Sequence, residues 1–451
     1  MRQLFVLGID GMPYSLLKTL SEAGELPALS KLAREGDLRQ MDSVHPCVSS
    51  AAWTSFITGK QPGKHGLYGF VERAEGSYDV TIPLATTIES KNIWQVLSDA
   101  GKRVFGMNVP VTYPPVEVNG ILIGDFLCPS LDKVARSPEV RLYLKSINYQ
   151  IDSDPSLGRK SPDRMLRNLE FTLERRAQAM MHYLSVEDWS YFHAHIMETD
   201  RLFHFLYAGY LADDKRYEHE FLAFLRKVDD VVGRFVAAIP PDAGLVIASD
   251  HGFCPIKAEV QLARYLVEKG HTTPASAEPL HPLDISPARS RAYTLIPGRI
   301  RVNLRGREPG GIVPPEEFEA VRNAIRADLE ALRAPAGDRV IRQVFMREEL
   351  YWPPGARQPD ARMPRETLLD GAGPFGRAPD LVAVPNDGYD LKMGLGASDV
   401  FMTTELEGMH TFGDAMILSR GVALPTDPFP IYRVARPLCE ALGVAPPDDM
   451  D

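Results

Sequence analysis

Short apolar runs alternating with longer segments of helical periodicity constrain this chain more than any other feature of it. LFVLGID (4–10), RVFGMNV (103–109), GILIGDF (120–126), WSYFHAHIM (189–197), GLVIASD (244–250), PDLVAVP (379–385) and DAMILSR (414–420) read as strands, and most are apolar throughout, as in a sheet covered on both faces. Between them, PDRMLRNLEFTLERRAQAMMHYLS (162–185) and KRYEHEFLAFLRKVDDVVGRFVAAI (215–239) carry apolar residues at helical spacing. The pattern predicts an α/β fold with a mostly parallel central sheet flanked by helices. At 451 residues the chain exceeds one ordinary core, since cores stop growing at roughly 250–300 residues. After about residue 255 it turns rich in Pro, Arg and Gly, with one clear helix at 316–333. We expect a core formed by 1–255 and 379–451, and a loop-rich inserted cap at 256–378 that shapes substrate specificity. A separate second domain is the alternative. The cap's arginines (Arg289, Arg291, Arg299, Arg301, Arg305, Arg307) suit phosphate or carboxylate recognition, although most surface arginines are simply solvated.

Charge narrows the partners. Fifty Lys and Arg against 60 Asp and Glu leave a formal charge of −10, which argues against nucleic acid and against an anionic membrane. A small phosphorylated substrate stays compatible, because bound metal can supply local positive charge. The N-terminal apolar run is short and followed by an acid, so we expect neither a signal peptide nor a span. The cysteines (Cys47, Cys128, Cys254, Cys439) are far apart in the sequence, without a CxxC pair, which suits reduced thiols in a cytoplasm.

Three of the runs lead into an aspartate: Asp10, Asp250 and, shortly after FHAHIMET, Asp200. Ligands bind at the carboxyl ends of parallel strands, so the three could share a site. Singly, each reads as a turn or cap residue. His251 follows Asp250 at once, Asp200 and His204 stand at i, i+4 on one helix face, and His410 precedes DAMILS. Six such N/O donors suit two divalent ions of the Zn²⁺ or Mn²⁺ kind rather than Ca²⁺. His193 and His195 share a strand face and are expected as packed core, and His65, in a turn, could line the site. In HPCVSSAAWTSFITG (45–59), Ser49 and Ser50 stand at a helix entry, where either could cap the helix or meet an incoming phosphate.

Taken together, GIDGM (8–12), PCVSSAAWTSFITGKQPGKHG (46–66), NVPVTYPP (108–115), METDRLFHFLY (197–207), ASDHGF (248–253), APDLVAVPNDGY (378–389) and GMHTFGDAMILSRG (408–421) resemble the alkaline phosphatase superfamily. They most resemble its type I phosphodiesterase/nucleotide pyrophosphatase group, in an intracellular branch of phosphohydrolases or phosphomutases. The resemblance implies an alkaline-phosphatase-like core with two metal sites. Asp10, Asp250 and His251 would hold the metal that also binds Ser49, the nucleophile; Asp200, His204 and His410 would hold the second. It implies a two-metal phosphoesterase (phosphatase, phosphodiesterase or pyrophosphatase) acting on a small phosphorylated metabolite or nucleotide through a phosphoserine. Zn²⁺ is the first choice of metal and Mn²⁺ the second. A metal-dependent phosphomutase and a non-catalytic, metal-stabilised binding protein are the alternatives. Ser49 stands where threonine is more usual, and the Cys47 segment lacks the Cys-x-Pro-x-Arg pattern of sulfatase maturation.

Overall fold

The computed structural model describes residues 2–211, 215–279, 281, 283–360, 362–426 and 428–451. The chain forms two compact units: Met1–Lys60, Leu84–Pro255 and Glu405–Asp451 make the first, Gln61–Pro83 and Ile256–Thr404 the second.

The first unit is built on a seven-stranded sheet. Its strands are β1 (Leu4–Ile9), β2 (Asp37–Met41), β3 (Val104–Met107), β4 (Gly120–Ile123), β5 (Tyr191–Ile196), β6 (Gly244–Ala248) and β7 (Ala415–Arg420), in the order β2-β7-β6-β1-β5-β3-β4. The run β6-β1-β5-β3-β4 is parallel throughout, and β7 alone runs against it. Strand alternation sorts the side chains of β1 and β5 onto two apolar faces. Phe5, Leu7, Ile9, Phe192, Ala194 and Ile196 belong to one core. Leu4, Val6 and Tyr191 belong to the other, together with Trp53, Phe56 and Trp94. The helices that matter for the site are α1 (Ser49–Thr58), α2 (Pro162–Val186), α3 (Glu198–Leu211) and α4 (Lys215–Ala238). α1 ends at Gly59, whose φ of 66° closes the helix in the left-handed conformation glycine tolerates. Among the described residues, no helix is long and apolar enough to cross a membrane.

The second unit carries a four-stranded antiparallel sheet of Ala292–Leu295, Arg299–Val302, Leu381–Pro385 and Ile341–Met346, with the helix Phe318–Ala331 packed in its apolar core. Two expectations are corrected here. PDLVAVP (379–385), expected as a strand of the main sheet, lies in this second sheet, so the unit boundary falls between 404 and 405 and not at 379. The region expected to be loop-rich has its own sheet and core, and 61–83 joins it. An apolar run reports that a strand is buried; it does not report which sheet buries it.

Candidate active site

Sheet order brings the acids together. β6, β1 and β5 are adjacent, and Asp250, Asp10 and Asp200 lie just beyond their carboxyl ends. Asp10 follows β1 directly and keeps its amide on the Ile196 carbonyl at 2.9 Å. Asp200 is the third residue of α3, whose start is tied to β1 because Thr199 donates its hydroxyl proton to the Asp10 carbonyl. His410 lies on the strand Gly408–Thr411, paired antiparallel with Gly252–Pro255 so that His410 faces Phe253. Phe253 packs against three imidazoles, His204, His251 and His410, with ring centroids 5.0–5.4 Å away. Gly11 makes room for it: at a φ of 69°, a Cβ there would stand 2.5 Å from the Phe253 ring.

Each carboxylate divides its two oxygens between different tasks. Asp10 Oδ2 accepts from Trp53 Nε1 and from His195 Nε2, each at 3.0 Å, while Oδ1 lies 3.3 Å from Ser49 Oγ and 3.7 Å from His251 Nε2. Asp200 Oδ2 accepts from Arg201 at 3.0 Å, and Oδ1 lies 3.2 Å from His410 Nε2 and 3.4 Å from His204 Nε2. Asp250 Oδ1 accepts from the Gly11 amide at 3.1 Å, whereas Oδ2 is buried without a hydrogen-bond donor among the described residues, 3.3 Å from His251 Nε2.

The imidazoles are oriented in the same sense. His251 Nδ1 donates to the Gly252 carbonyl at 3.1 Å and His204 Nδ1 to the Gly408 carbonyl at 2.9 Å. A neutral ring that donates through Nδ1 has a bare lone pair on Nε2. His204 Nε2 and His410 Nε2 stand 3.1 Å apart, a distance at which two lone pairs need a proton or a cation between them.

Electrostatics points the same way. Burial, with the charges of Asp250 and Asp200, pushes the Asp10 carboxyl well above the usual range. Burial raises Asp250 to about 7 although His410 opposes the shift. At Asp200 burial is outweighed by His204, His410 and Arg201, and the carboxyl is held below its ordinary value. Burial pushes His251 well below the usual range and His204 down to about 4, so these rings are neutral and able to offer lone pairs. Two groups have ligand atoms within 4.8 Å of one another: Asp10, Asp250 and His251, and Asp200, His251 and His410. His251 is within reach of both groups, and His204 adjoins the second through Asp200 and His410. The orphaned Asp250 oxygen, the facing Nε2 atoms and the all-N/O donor set fit divalent cations.

Ser49 is the first residue of α1, buried, with its hydroxyl 3.2 Å from His251 Nε2. The first helical amide bond of this turn runs from Ala52 to the Val48 carbonyl at 3.0 Å, so the amides of Ser49, Ser50 and Ala51 precede the helical ladder. Ser50 is wholly buried, and its hydroxyl finds no hydrogen-bond partner among the described residues, so it does not cap the helix. His65 ends the short helix Pro62–His65 in the second unit, where its Nδ1 accepts from the Leu67 amide at 3.2 Å. His193 is the packed core residue its strand position predicts, 5.4 Å from the Trp94 ring. His195, given the same expectation, instead touches Asp10. The one signal for that contact is register, since β1 and β5 pair Gly8 with His195 two residues before Asp10.

Comparison with known proteins agrees with this architecture. The fold is similar to that of the phosphonoacetate hydrolase from Sinorhizobium meliloti 1021, solved with phosphonoacetate, at a TM-score of 0.64, 16% identity and coverage of 98% of this chain and 95% of that one. It is also similar to murine ectonucleotide pyrophosphatase/phosphodiesterase 5 in complex with AMP, at a TM-score of 0.57, 16% identity and coverage of 99% and 96%. No curated protein is significantly similar in sequence. The family model described as type I phosphodiesterase/nucleotide pyrophosphatase matches residues 4–412, and the chain belongs to that family of phosphoester hydrolases, within the alkaline phosphatase superfamily.

Proposed function

We propose that the chain is a divalent-metal-dependent phosphoesterase that transfers a phosphoryl group from a small phosphorylated substrate to Ser49 and then to water. The observation that carries this reading is Ser49 Oγ at a helix entry, 3.3 Å from Asp10 Oδ1 and 3.2 Å from His251 Nε2, beside an acid cluster with an orphaned oxygen. Asp10, Asp250 and His251 would hold one cation and Asp200, His204 and His410 a second. Bound cations supply the positive charge that lowers a hydroxyl's pKa and neutralises the oxygens around phosphorus.

The chain's own groups do the rest. Ser49 forms the new O–P bond as the P–O bond to the leaving group breaks, and the serine proton is given up to solvent, because the Asp10 and His251 lone pairs beside it are those that would hold the cation. The amides at the start of α1, which precede the helical ladder, would meet a phosphoryl oxygen as it collects negative charge. Water then attacks the phosphoserine, releasing phosphate, or a phosphate monoester if the substrate was a diester, and returning the hydroxyl. Zn²⁺ suits three imidazoles among six ligands better than Mg²⁺ or Ca²⁺ does, with Mn²⁺ next. Cys47, Cys128, Cys254 and Cys439 are not joined in disulfides, which fits a reducing compartment such as the cytoplasm.

The tests are turnover of aryl phosphate mono- and diesters by Zn²⁺- or Mn²⁺-loaded protein and, separately, phosphorus NMR of the same protein with a sugar or glycerate phosphate. Ser49→Ala should lower turnover by roughly 10⁴-fold or more while the protein stays folded. Full activity in Ser49→Ala would overturn the nucleophile, and an isomerised sugar or glycerate phosphate without free phosphate would indicate a mutase.

A further inference from the structure

His195 was expected to be core, and in burial it is: the side chain is wholly inaccessible on β5. Its contacts are not those of a core residue. Nε2 lies 3.0 Å from Asp10 Oδ2, and Nδ1 has no hydrogen-bond partner among the described residues. Trp53, on α1, donates to the same oxygen at 3.0 Å, and its ring meets the His195 ring edge-on at 4.6 Å between centroids. Two donors from two different elements therefore converge on one oxygen of one buried carboxylate. Oδ1, the oxygen they leave alone, is the one beside Ser49 and His251.

Gly8 makes this arrangement possible. It pairs with His195 across the sheet, and a Cβ on it would stand 2.3 Å from His195 Nδ1 and 2.9 Å from the Trp53 ring. No other residue fits beneath the pair without displacing one ring or the other. The first glycine of GIDG is therefore explained by ring packing, whereas the second, Gly11, is explained by its positive φ and by Phe253.

The geometry points to His195 as a positioning residue that, with Trp53, claims Asp10 Oδ2 so that Oδ1 alone faces Ser49 and the cation held there. This rests on the metal-dependent reading above. Physically, a carboxylate with both oxygens free can rotate or chelate through both, whereas one with an oxygen already saturated by two N–H donors offers a single directed ligand. Partners behind a ligand of this kind change metal affinity by roughly 10- to 100-fold when removed. Arg201 at Asp200 Oδ2 and the Gly11 amide at Asp250 Oδ1 hold the other two carboxylates in the same way, so one oxygen of each is directed inward.

Two variants separate positioning from packing. His195→Phe keeps an aromatic ring and removes the donor, while His195→Gln keeps an N–H donor at similar reach. Zn²⁺ affinity is measured by competition with a chromophoric chelator, alongside circular dichroism and the thermal midpoint of the metal-free protein. The expected result is a dissociation constant raised roughly 10- to 100-fold in His195→Phe and restored to within a few-fold of wild type in His195→Gln, with both folded. Wild-type affinity in His195→Phe would overturn the proposal, as would an equal loss in the two variants, which would assign the residue to packing alone. If His195→Phe does not fold, Trp53→Phe removes the other donor to the same oxygen and is expected to weaken Zn²⁺ in the same direction; unchanged affinity there would overturn the proposal. Wild-type protein that binds no divalent cation would instead overturn the metal-dependent reading, an outcome distinct from either.

Discussion

Asp380 and Asp250 are wholly buried carboxylates in different units, yet one is held well below the usual carboxylate range and the other is pushed up to about 7. Burial acts upward on both. At Asp380 it is outweighed by Arg307, Arg347 and Arg301. Asp380 accepts from Arg307 and Arg347 and from the Val302 amide at 2.7 Å, and the neighbouring Glu308 takes Arg301, Arg307 and the Tyr293 hydroxyl. The arginines' other hydrogens go to backbone carbonyls: Arg347 to Leu368 and Ala378, and Arg301 to Arg377 and Ala378. Charge there is answered from inside the unit. Among the described residues, one oxygen of Asp250 accepts from the Gly11 amide and the other has no donor, with Asp200 adding repulsion. A satisfied cluster holds a fold together; one with inward-facing atoms unsatisfied is suited to a ligand from outside.

The contrast can be broken from either side. The largest effect is expected at Asp380→Ala, which strands buried arginines: chemical denaturation should show a loss of about 3–5 kcal/mol, and retention of wild-type stability would mean the cluster is not a structural latch.

Asp250→Asn should go the other way in metal-free protein. Its new amide can donate to His251 Nε2, now 3.3 Å from Asp250 Oδ2, so a gain of about 1 kcal/mol is expected, together with loss of metal binding. The gain should grow with pH. A folded value near 7 against 3.8 means that between those values the folded state keeps a proton the unfolded chain has released. Wild-type stability contributed by this group therefore falls as pH rises through that window, by at most about 1.4 kcal/mol per unit, and Asp250→Asn removes the slope. Asp380 has the opposite sign: its depressed value contributes stability above about pH 4 that drains away as pH falls further. Urea melts of chelated protein from pH 4.5 to 7.5 would decide the Asp250 sign, and a rising wild-type curve relative to Asp250→Asn would contradict it.

The smallest effect calibrates the others. Arg103 and Glu187 form a two-contact pair at 2.6 and 2.7 Å, but both are more than a third exposed. A double-mutant cycle should return only about 0.2–1 kcal/mol, because solvent screens the pair.

Much of the candidate site was legible because its donors come in contiguous pieces. Asp250-His251, Asp200 with His204, and the Ser49 segment each carry their spacing within a few residues. His195 and Trp53 were not legible as partners of Asp10, since their contact depends on the pairing of β1 with β5 and on how α1 packs over it. The arginines singled out after residue 289 show the same limit. Arg301 and Arg307 are tied to Glu308 and Asp380, Arg299 to Glu72, and Arg291 to Glu317. Sequence shows that an arginine is present; only the fold shows whether an acid already neutralises it. β2, DLRQM, escaped notice because an edge strand needs little apolar character.

By itself the sequence determined the α/β alternation, the acids beyond three strand ends and the family, because each is written in short segments whose physics is local. Tertiary structure alone decided that β6, β1 and β5 lie side by side, that 381–385 belongs to the second sheet, and which oxygen of each aspartate faces inward. Those outcomes depend on strand order, register and the donors waiting behind each carboxylate, and these are relations between segments that lie tens to hundreds of residues apart.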